Sequence, residues 1–404
     1  MPKHPLHRLA AALFAAILCA APAAAAPPSQ WQGAAFAGDR TTLEALAAAG
    51  GRVVRVYHHD TDAWVLDEAA RLGLKVVMGL WVAHPRHGFR LNDAAAVAAQ
   101  EREIRAFVER YRAHPALLAW GVGNEVEIGE RDPLPMWREI DRLAAIVKRL
   151  DPAHPTLMSV ADTGDAQLRA LADCCASVDL LGINLYGGAV FALPGRLRAA
   201  GITKPVVVTE FGPLGQWQAG RKPWGAPVEP TSTEKAAFYR EALAFLARQP
   251  QVAGSFPFLW GAKQEQTETW HGLLLADGSL TAMADALSEA WGREVREPAP
   301  RIRGIGIAAD AFAPGQEISA GVDALSFDGS PLRTEWKVVA ESAGRAPHED
   351  FEPPPARIPV RMLHADAATV RFLAPERPGA YRLFMTLRDR KGKAATANLP
   401  FLVR

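Results

Sequence analysis

Eight short apolar runs recur along the first 292 residues, and their spacing restricts the possible folds. The runs are 34–37, 53–58, 75–82, 117–123, 156–161, 178–185, 205–210 and 254–259. Segments with apolar residues at helical spacing lie between them, such as 95–111, 136–150, 233–248 and 281–291. This alternation of strands and helices predicts βαβ units built around a parallel sheet.

The spacing and character of the strands favour a closed barrel. Each strand is a continuous apolar run, which is typical of parallel strands that are covered on both faces. Spread over residues 27–292, eight units have about 33 residues each, as in a (β/α)8 barrel. A doubly wound open sheet is the alternative, but Ala37-Gly38-Asp39-Arg40 follows the first strand where a Gly-rich phosphate loop would stand. We therefore predict an α/β fold, a (β/α)8 TIM barrel over residues 27–292.

The sequence changes character after Trp291. Residues 293–303 hold four arginines, two glutamates and two prolines, which is typical of a linker. Residues 304–404 contain alternating runs at 335–339, 368–373 and 380–387, with turn signals between them. These features predict a small C-terminal immunoglobulin-like β-sandwich with Trp336 in its core and Tyr381 opening a late strand. We expect this domain to be a support or a carbohydrate-binding accessory.

Charge and composition exclude some classes of partner. Lys and Arg number 45 and Asp and Glu number 44, which gives a formal net charge of +1. A chain with so little charge imbalance is not expected to bind nucleic acid or acidic membranes. With 49% hydrophobic and 22% charged residues, the composition is that of an ordinary globular protein.

The N-terminal segment, residues 1–26, has the pattern of a secretory signal peptide. A basic region around Lys3 and Arg8 precedes an apolar run at 9–21, and small residues follow at 23–26. A lipoprotein signal ending at Cys19 is disfavoured, because Leu18 stands where a small residue is needed. No later run is long enough to span a bilayer. We therefore expect an exported protein, periplasmic or extracellular, with no integral membrane segment after signal removal.

The two remaining cysteines, Cys174 and Cys175, are adjacent in sequence. Neighbouring residues do not readily form a disulfide, so no disulfide framework is expected despite the export signal. We expect both side chains to be small buried hydrophobic groups on a helix.

Polar and aromatic residues mark the ends of the predicted strands, where a barrel places its chemistry. The candidates at these ends are Arg55, His84, Asn124, Glu125, Asn184, Tyr186, Glu210 and Trp260. Further polar and aromatic residues lie on predicted rim loops: His58, His59, Trp81, Asp162, Trp217, Trp224, Gln264 and Trp270. Glu127, Glu130 and Asp132 are expected to form a solvated helix entrance without chemistry.

Glu125 and Glu210 form the pair of carboxyl groups that cleavage of a glycosidic bond requires. One carboxylic acid protonates the leaving oxygen, and a second carboxylate attacks the sugar or activates water. Both residues end predicted strands, the fourth and the seventh, so both lie on one rim of the barrel. For a retaining reaction we expect their carboxyl groups to be about 5 to 5.5 Å apart.

The sequence around these glutamates resembles retaining glycoside hydrolases of clan A, which include families 2, 5 and 17. Gly123-Asn124-Glu125 looks like the clan's strand-four motif, which implies Glu125 as general acid/base and Asn124 as a contact to the sugar 2-hydroxyl. Thr209-Glu210-Phe211-Gly212 looks like its strand-seven motif, which implies Glu210 as nucleophile. Arg55, His84, Tyr186 and Trp260 fall on strand ends where the family 5 pattern has the same residue types.

The sequence departs from the family 5 pattern at Asn184, which stands where that family usually has His. This position is more similar to families 2 and 17. Residues 231–260, a helix followed by a strand ending in Trp, also resemble family 2. The 404 residues do not include the large N-terminal sandwich domains of typical family 2 enzymes.

The chemical roles also follow from the residue types. An anionic Glu210 nearby would raise the pKa of Glu125 and keep that residue protonated before attack. Once Glu210 is glycosylated its charge is gone, so Glu125 can ionise and act as base. Arg55 and Tyr186 would hold Glu210 ionised and oriented. Trp260 would offer a flat face to a pyranose ring.

Other kinds of chemistry find little support in the sequence. There is no HExxH motif, His58-His59-Asp60 is not spaced as metal ligands on a helix are, and no GxSxG motif occurs. We predict a retaining β-glycoside hydrolase that acts on a β-glucan or related polysaccharide by double displacement and needs no cofactor. Two alternatives remain: a β-glucan transglycosylase that uses the same glutamates, and a non-catalytic carbohydrate-binding envelope protein. All candidate residues precede the linker, so we expect the barrel alone to hold the chemistry.

Overall fold

The structure is a computed structural model, and it describes residues 31–344 and 351–404. The predicted signal peptide, residues 1–26, lies outside the described residues. Within them, no helix combines the length and the apolar character needed to cross a membrane.

A closed barrel of eight parallel strands forms the larger part of the molecule, in the order β1 to β8. The strands are β1 (Trp31–Ala35), β2 (Val53–Arg55), β3 (Lys75–Leu80), β4 (Leu117–Asn124), β5 (Thr156–Val160), β6 (Leu180–Tyr186), β7 (Val206–Gly212) and β8 (Val252–Pro257). The barrel closes where Trp31 of β1 pairs with Gly254 of β8. Seven of the eight apolar runs contain most of one strand, the run 34–37 overlaps β1 only at Ala34 and Ala35, and the predicted TIM barrel is confirmed.

The helices cover the outside of the barrel. They are α1 (Arg40–Ala48), α2 (His59–Asp62), α3 (Trp64–Leu72), α4 (Ala94–Tyr111), α5 (Leu134–Leu150), α6 (Asp165–Asp173), α7 (Ala189–Ala200), α8 (Ser232–Leu246) and α9 (Ala282–Ala290). Local sequence defines where they begin. The Asp93 side chain accepts hydrogen bonds from the first turn of α4, and Thr231 forms a capping box with Glu234 at the start of α8.

Side chains fill the interior of the barrel. A buried cluster inside it takes at least one residue from every strand, including Trp31, Val53, Val77, Ala119, Leu157, Leu180, Val207 and Phe256. A separate and larger cluster lies between the strands and the helices. Because the barrel is packed rather than hollow, its interior has no room for a ligand, and barrel chemistry is expected at the strand ends.

Two sheets form a β-sandwich at the C-terminus. One sheet has the order β10-β17-β16-β12-β13 and the other β14-β15-β11-β9. The strands are β9 (Arg301–Ile307), β10 (Ala311–Phe312), β11 (Glu317–Leu325), β12 (Arg333–Ala340), β13 (Arg357–Ile358), β14 (Met362–Ala365), β15 (Thr369–Leu373), β16 (Gly379–Arg388) and β17 (Ala394–Val403). Trp336 and Tyr381 are both buried in the core between the sheets. The Tyr381 hydroxyl donates to the Arg377 carbonyl 2.8 Å away, as in the tyrosine corner of immunoglobulin-like domains.

The strand β9 begins inside the segment predicted as a linker. Residues 301–303 belong to this strand, so the segment without regular structure is shorter than the predicted 293–303. Ile302 explains the difference, because its side chain is buried in the sandwich core. Its backbone N–H also donates to the Thr233 hydroxyl at the start of α8, 2.8 Å away. The sandwich is therefore attached to the barrel from its first strand.

A disulfide joins Cys174 and Cys175, so the prediction that they do not pair was wrong. Helix α6 ends before Cys174, and Cys175 has a left-handed backbone with φ 65°, so the chain turns sharply at this pair. The pair precedes β6 and therefore lies toward the amino ends of the barrel strands.

Candidate active site

A cleft of about 760 Å³ opens at the carboxyl ends of the barrel strands. Its lining includes six of the eight candidates predicted at strand ends: His84, Asn124, Glu125, Asn184, Tyr186 and Glu210. The cleft therefore lies at the end of the barrel that the sequence marks with polar and aromatic residues.

Glu210 lies on β7 and is held by three hydrogen-bond donors. Arg55 donates to Oε1 from Nη1 over 3.1 Å, and the Tyr57 hydroxyl donates to the same oxygen over 2.8 Å. The Tyr186 hydroxyl donates to Oε2 over 3.1 Å. The Glu210 carboxylate is buried, so these donors replace water and stabilise its negative charge.

Glu125 follows β4 directly and has a left-handed backbone with φ 50°. Its backbone N–H donates to the Ser159 carbonyl over 2.9 Å, which holds this conformation at the end of β5. Asn184 Nδ2 donates to the Glu125 Oε1 atom over 2.9 Å. Burial and the negative charge of Glu210 raise the pKa of Glu125 to about 8. Glu125 is therefore a carboxylic acid that keeps its proton near neutral pH.

A polar network connects the two glutamates. The Asn124 Oδ1 atom accepts a 2.7 Å hydrogen bond from Arg55 Nη2 and a 3.2 Å one from Asn184 Nδ2. The Asn184 Oδ1 atom accepts from the Thr209 hydroxyl over 2.7 Å, which orients its amide toward Glu125. Arg55 thus contacts the side chain beside Glu125 and also Glu210 itself. The structure brings these predicted residues together, as the ends of β2, β4, β6 and β7 meet at one rim.

Aromatic and imidazole rings form two walls of the cleft. On one wall, Trp81 stacks between His58 and His84, with ring centroids 4.0 Å and 4.8 Å away. On the other wall, Trp217 lies edge-on to Tyr186 with centroids 5.2 Å apart, and its side chain is 55% exposed. Trp81 follows β3 and Trp217 follows β7, which are opposite strands of an eight-stranded barrel. The exposed indole of Trp217 suits the apolar face of a sugar ring, whereas Trp81 is already stacked against two imidazoles.

Trp260 does not line the cleft, contrary to the prediction. Its ring is fully buried in the core between strands and helices, and its Nε1 donates to the Thr42 carbonyl over 2.9 Å. The strand β8 ends at Pro257, and the chain beyond it turns so that Phe258 faces the cleft. The aromatic side chain that this strand end gives to the cleft is therefore Phe258.

Four of the eight residues predicted on rim loops line the cleft, and four do not. His58, Trp81, Asp162 and Trp217 line the cleft. His59, Trp224, Gln264 and Trp270 do not. Glu127 is buried rather than solvated. Its Oε1 accepts a hydrogen bond from the Ala161 N–H over 2.7 Å, which connects the chain after β4 to the end of β5. Glu130 and Asp132 are exposed, as expected.

Several residues that form the cleft are not among those predicted from the sequence. Tyr57 could have been found, because it lies two residues beyond Arg55 and an extended chain turns both to the same side. Lys263, Glu265 and His271 come from the loop after β8, where no periodic pattern indicates direction. Burial opposes ionisation of Glu265, but the charge of Lys263 and the hydrogen bond from Gln216 hold the pKa of Glu265 below its usual range. Burial lowers the pKa of His271 to about 4, so this imidazole is neutral near pH 7.

Within residues 31–344 and 351–404, no three His, Cys, Asp or Glu side chains are grouped so that they could hold a metal ion.

Residues 58–213 match the model of the TIM barrel domain of glycosyl hydrolases family 2. The matched segment includes both Glu125 and Glu210. This match confirms the predicted resemblance to clan A retaining glycoside hydrolases. No similar sequence was found among curated proteins.

Solved β-glucuronidases have a similar fold. Bacteroides uniformis β-glucuronidase 2, covalently bound to cyclophellitol-6-carboxylate aziridine, aligns with 93% of this chain at 16% identity and a TM-score of 0.52. The β-glucuronidase from an uncultured Clostridium sp. aligns with 65% of the chain at 16% identity and a TM-score of 0.51. The enzyme from Dictyoglomus thermophilum aligns with 66% at 17% identity and a TM-score of 0.50. The chain spans about half the length of these structures, 46%, 50% and 51% respectively.

Proposed function

We propose that this protein hydrolyses β-glycosides with retention of configuration, with Glu210 as nucleophile and Glu125 as general acid/base. One observation carries the proposal: two glutamates at the ends of β4 and β7 share a cleft, where three hydrogen-bond donors hold the carboxylate of Glu210 and burial raises the pKa of Glu125. Hydrogen bonds from Arg55, Tyr57 and Tyr186 stabilise Glu210 as an anion. Burial raises the pKa of Glu125 to about 8, so this carboxyl group keeps its proton at neutral pH.

The first step of this reaction joins the sugar to the protein. The Glu210 carboxylate attacks the anomeric carbon, the bond to the leaving oxygen breaks, and Glu125 gives its proton to that oxygen. Asn184 donates to the Glu125 Oε1 atom, which leaves Oε2 as the oxygen that carries the proton. The product of the step is a glycosyl ester on Glu210.

The second step releases the sugar. Esterification removes the negative charge from Glu210, so the repulsion that raises the pKa of Glu125 falls. Glu125, now ionised, takes a proton from water, and the water oxygen attacks the anomeric carbon. The Glu210 carboxylate leaves and recovers its hydrogen bonds with Arg55, Tyr57 and Tyr186. Two inversions at one carbon give net retention.

The sugar class is the finer part of the proposal. A β-glucan is the substrate predicted from the sequence. A β-glucuronide is the second candidate, because the similar solved structures are β-glucuronidases and because Lys263 brings a positive charge to the cleft. That cation lies 4.8 Å from the Phe258 ring centroid and is paired with Glu265 over 2.9 Å. A sugar carboxylate would have to share Lys263 with Glu265.

The test is product analysis on a panel of β-linked substrates. Aryl β-glucosides, aryl β-glucuronides and β-gluco-oligosaccharides are incubated with the purified protein, and proton NMR follows the anomer formed first. We expect a β-configured first product, and larger oligosaccharides would reveal transfer to an acceptor sugar. Glu210→Ala should abolish turnover, and Glu130→Ala, an exposed neighbour of the site, should not. Absence of turnover across the panel, or an α-configured first product, would contradict the proposal.

A further inference from the structure

The loop between β8 and α9, residues 258–281, has one side in the cleft and the other against the sandwich. Phe258, Lys263, Glu265 and His271 line the cleft. Gln264 and Gln266, the two residues that flank Glu265, instead contact the sandwich. The loop therefore joins the candidate active site to the second domain.

Glu265 is the carboxylate that this loop gives to the cleft, and it is separate from the two glutamates of the proposed reaction. Its side chain accepts a hydrogen bond from Gln216 over 3.0 Å and pairs with Lys263 over 2.9 Å. The Nε2 atom of His271 lies 4.0 Å from it. Because Lys263 and Gln216 hold the pKa of Glu265 below its usual range, Glu265 is ionised near neutral pH. An ionised carboxylate accepts hydrogen bonds only, so a sugar hydroxyl is the group that it suits.

The sandwich residue Glu352 holds both neighbours of Glu265. Its Oε1 accepts from Gln264 Nε2 over 3.0 Å, and its Oε2 accepts from the Gln266 backbone N–H over 2.8 Å. Gln266 has a left-handed backbone with φ 61°, which a residue with a side chain adopts only when its surroundings hold it there. Glu352 is itself buried, so water does not compete for these bonds.

A second set of contacts supports the same loop from the sandwich. Glu341 accepts from Gln266 Nε2 over 3.1 Å and is paired with Arg382, which is 1% exposed. Arg382 also donates to Asn398 Oδ1 over 2.6 Å, and Asn398 Nδ2 donates to Glu229 over 2.6 Å. This arrangement links the sandwich to the buried side chains under the barrel rim.

The network reaches the far end of the loop through Lys235. This buried lysine pairs with Glu229 and donates to the Thr269 and Trp270 carbonyls over 2.7 Å and 3.1 Å. These carbonyls come directly before His271, which lines the cleft. The loop is thus held at 264–266 by the sandwich itself and at 269–270 by Lys235 of the barrel, which is connected to the sandwich through Glu229 and Asn398.

We propose that Glu352 is a positioning residue through which the sandwich places Glu265 in the cleft, and that Glu265 selects substrates by the hydroxyl group that it binds. The second half of this statement rests on the proposed function, and the first half does not. The sandwich then belongs to the active site as the part that fixes a substrate-selecting loop.

Amide hydrogen exchange of the full-length protein tests the positioning role without any substrate. In Glu352→Ala, peptides from 262–272 should exchange about tenfold faster or more, because the Gln266 N–H loses a charged acceptor. Glu352→Gln keeps one carbonyl oxygen for that N–H and should fall between Glu352→Ala and the unaltered protein. Glu317→Ala is the matched control, since Glu317 pairs with Arg371 on the sandwich surface. Exchange in Glu352→Ala equal to that of the unaltered protein would overturn the proposal.

A double-mutant cycle tests the route through Glu265. The readout is the ratio of kcat/KM values for two β-glycosides that differ at one hydroxyl. Glu352→Ala should lower this ratio in the unaltered background and leave it unchanged in a Glu265→Ala background. An unchanged ratio in the single variant, or additive effects in the double variant, would overturn the proposal. If the unaltered protein cleaves no β-glycoside, the proposed function fails, while the exchange experiment still decides whether Glu352 positions the loop.

Discussion

At the scale of single residues, Glu125 should set the pH dependence of the reaction. It must donate a proton in the first step, so only its neutral form is active in the free enzyme. Because burial and Glu210 raise its pKa to about 8, kcat/KM should fall as the pH rises through about 8. The measurement is a pH profile of kcat/KM with a substrate whose leaving group needs protonation. Glu125→Gln cannot ionise, so with a substrate whose leaving group departs without protonation, a fall in kcat/KM near pH 8 in this variant would contradict the assignment.

Tyr57 should contribute to activity through its hydrogen bond to Glu210. Tyr57→Phe removes the 2.8 Å bond to Oε1 and leaves the ring in place. A hydrogen bond to a charged group contributes about 1.5 to 3 kcal/mol, so we expect kcat/KM to fall about 10- to 100-fold. Tyr111→Phe on α4 is the control, because that residue packs outside the barrel. Equal kcat/KM in Tyr57→Phe and the unaltered protein would show that Tyr57 does not support the nucleophile.

The sequence predicts the residues at strand ends better than the residues on loops. Asn124, Glu125 and Glu210 could be placed because they directly end or follow apolar strands. Tyr57 could be placed only by adding that side chains alternate along an extended chain, which turns Tyr57 to the same side as Arg55. Glu265 could not be placed, since its position depends on Glu352, which is 87 residues later in the chain.

At the scale of elements, the cap of α4 makes a measurable contribution to stability. Asp93 accepts hydrogen bonds from the N–H groups of Ala95 and Ala96 over 3.1 Å and 3.0 Å. Asp93→Ala should lower the free energy of unfolding by about 1 kcal/mol, measured by urea denaturation. Asp93→Asn keeps an oxygen that can accept these bonds and should cost less. A free energy of unfolding in Asp93→Ala equal to that of the unaltered protein would contradict the stabilising role of this cap.

The elements of the barrel were predictable because their signals are local. Apolar runs of strand length and helical periodicity are both readable within a window of a few residues to a few turns. The side-chain directions beyond the end of β8 were not predictable, because they depend on the backbone conformation of the residues that follow the strand. Trp260 was therefore assigned to the cleft, where Phe258 lies. The pairing of Cys174 with Cys175 depends on the left-handed backbone of Cys175, which the sequence does not reveal.

At the scale of the whole molecule, the sandwich and the barrel should unfold together. The interface buries Glu229 and Lys235 on the barrel side and Arg382 and Asn398 on the sandwich side. A chain ending at Pro300 would leave the Glu229 carboxylate without Asn398 and would expose buried apolar surface. We expect a lower Tm and a loss of most turnover, although the sequence alone suggested an independent barrel. A truncated chain with the Tm and kcat/KM of the full chain would contradict this expectation.

The division into two domains was predictable, whereas their connection was not. A change of pattern along the chain reveals that an α/β region gives way to a β region. The contacts that join them are made by residues far apart, such as Glu229 with Asn398 and Gln264 with Glu352. Buried charged residues at such an interface look like ordinary surface residues in the sequence.

The most direct test of the two-glutamate mechanism is the stereochemistry of azide rescue. The substrate is a β-glycoside with a leaving group that departs without protonation. In Glu125→Ala, azide should attack the glycosyl ester on Glu210 without help from a base and yield a β-glycosyl azide. In Glu210→Ala, azide should attack the substrate directly and yield the α anomer, because only one displacement occurs. A β azide from Glu125→Ala and an α azide from Glu210→Ala are the predicted results; the reverse pair, or unaltered turnover in both variants, would contradict the assigned roles.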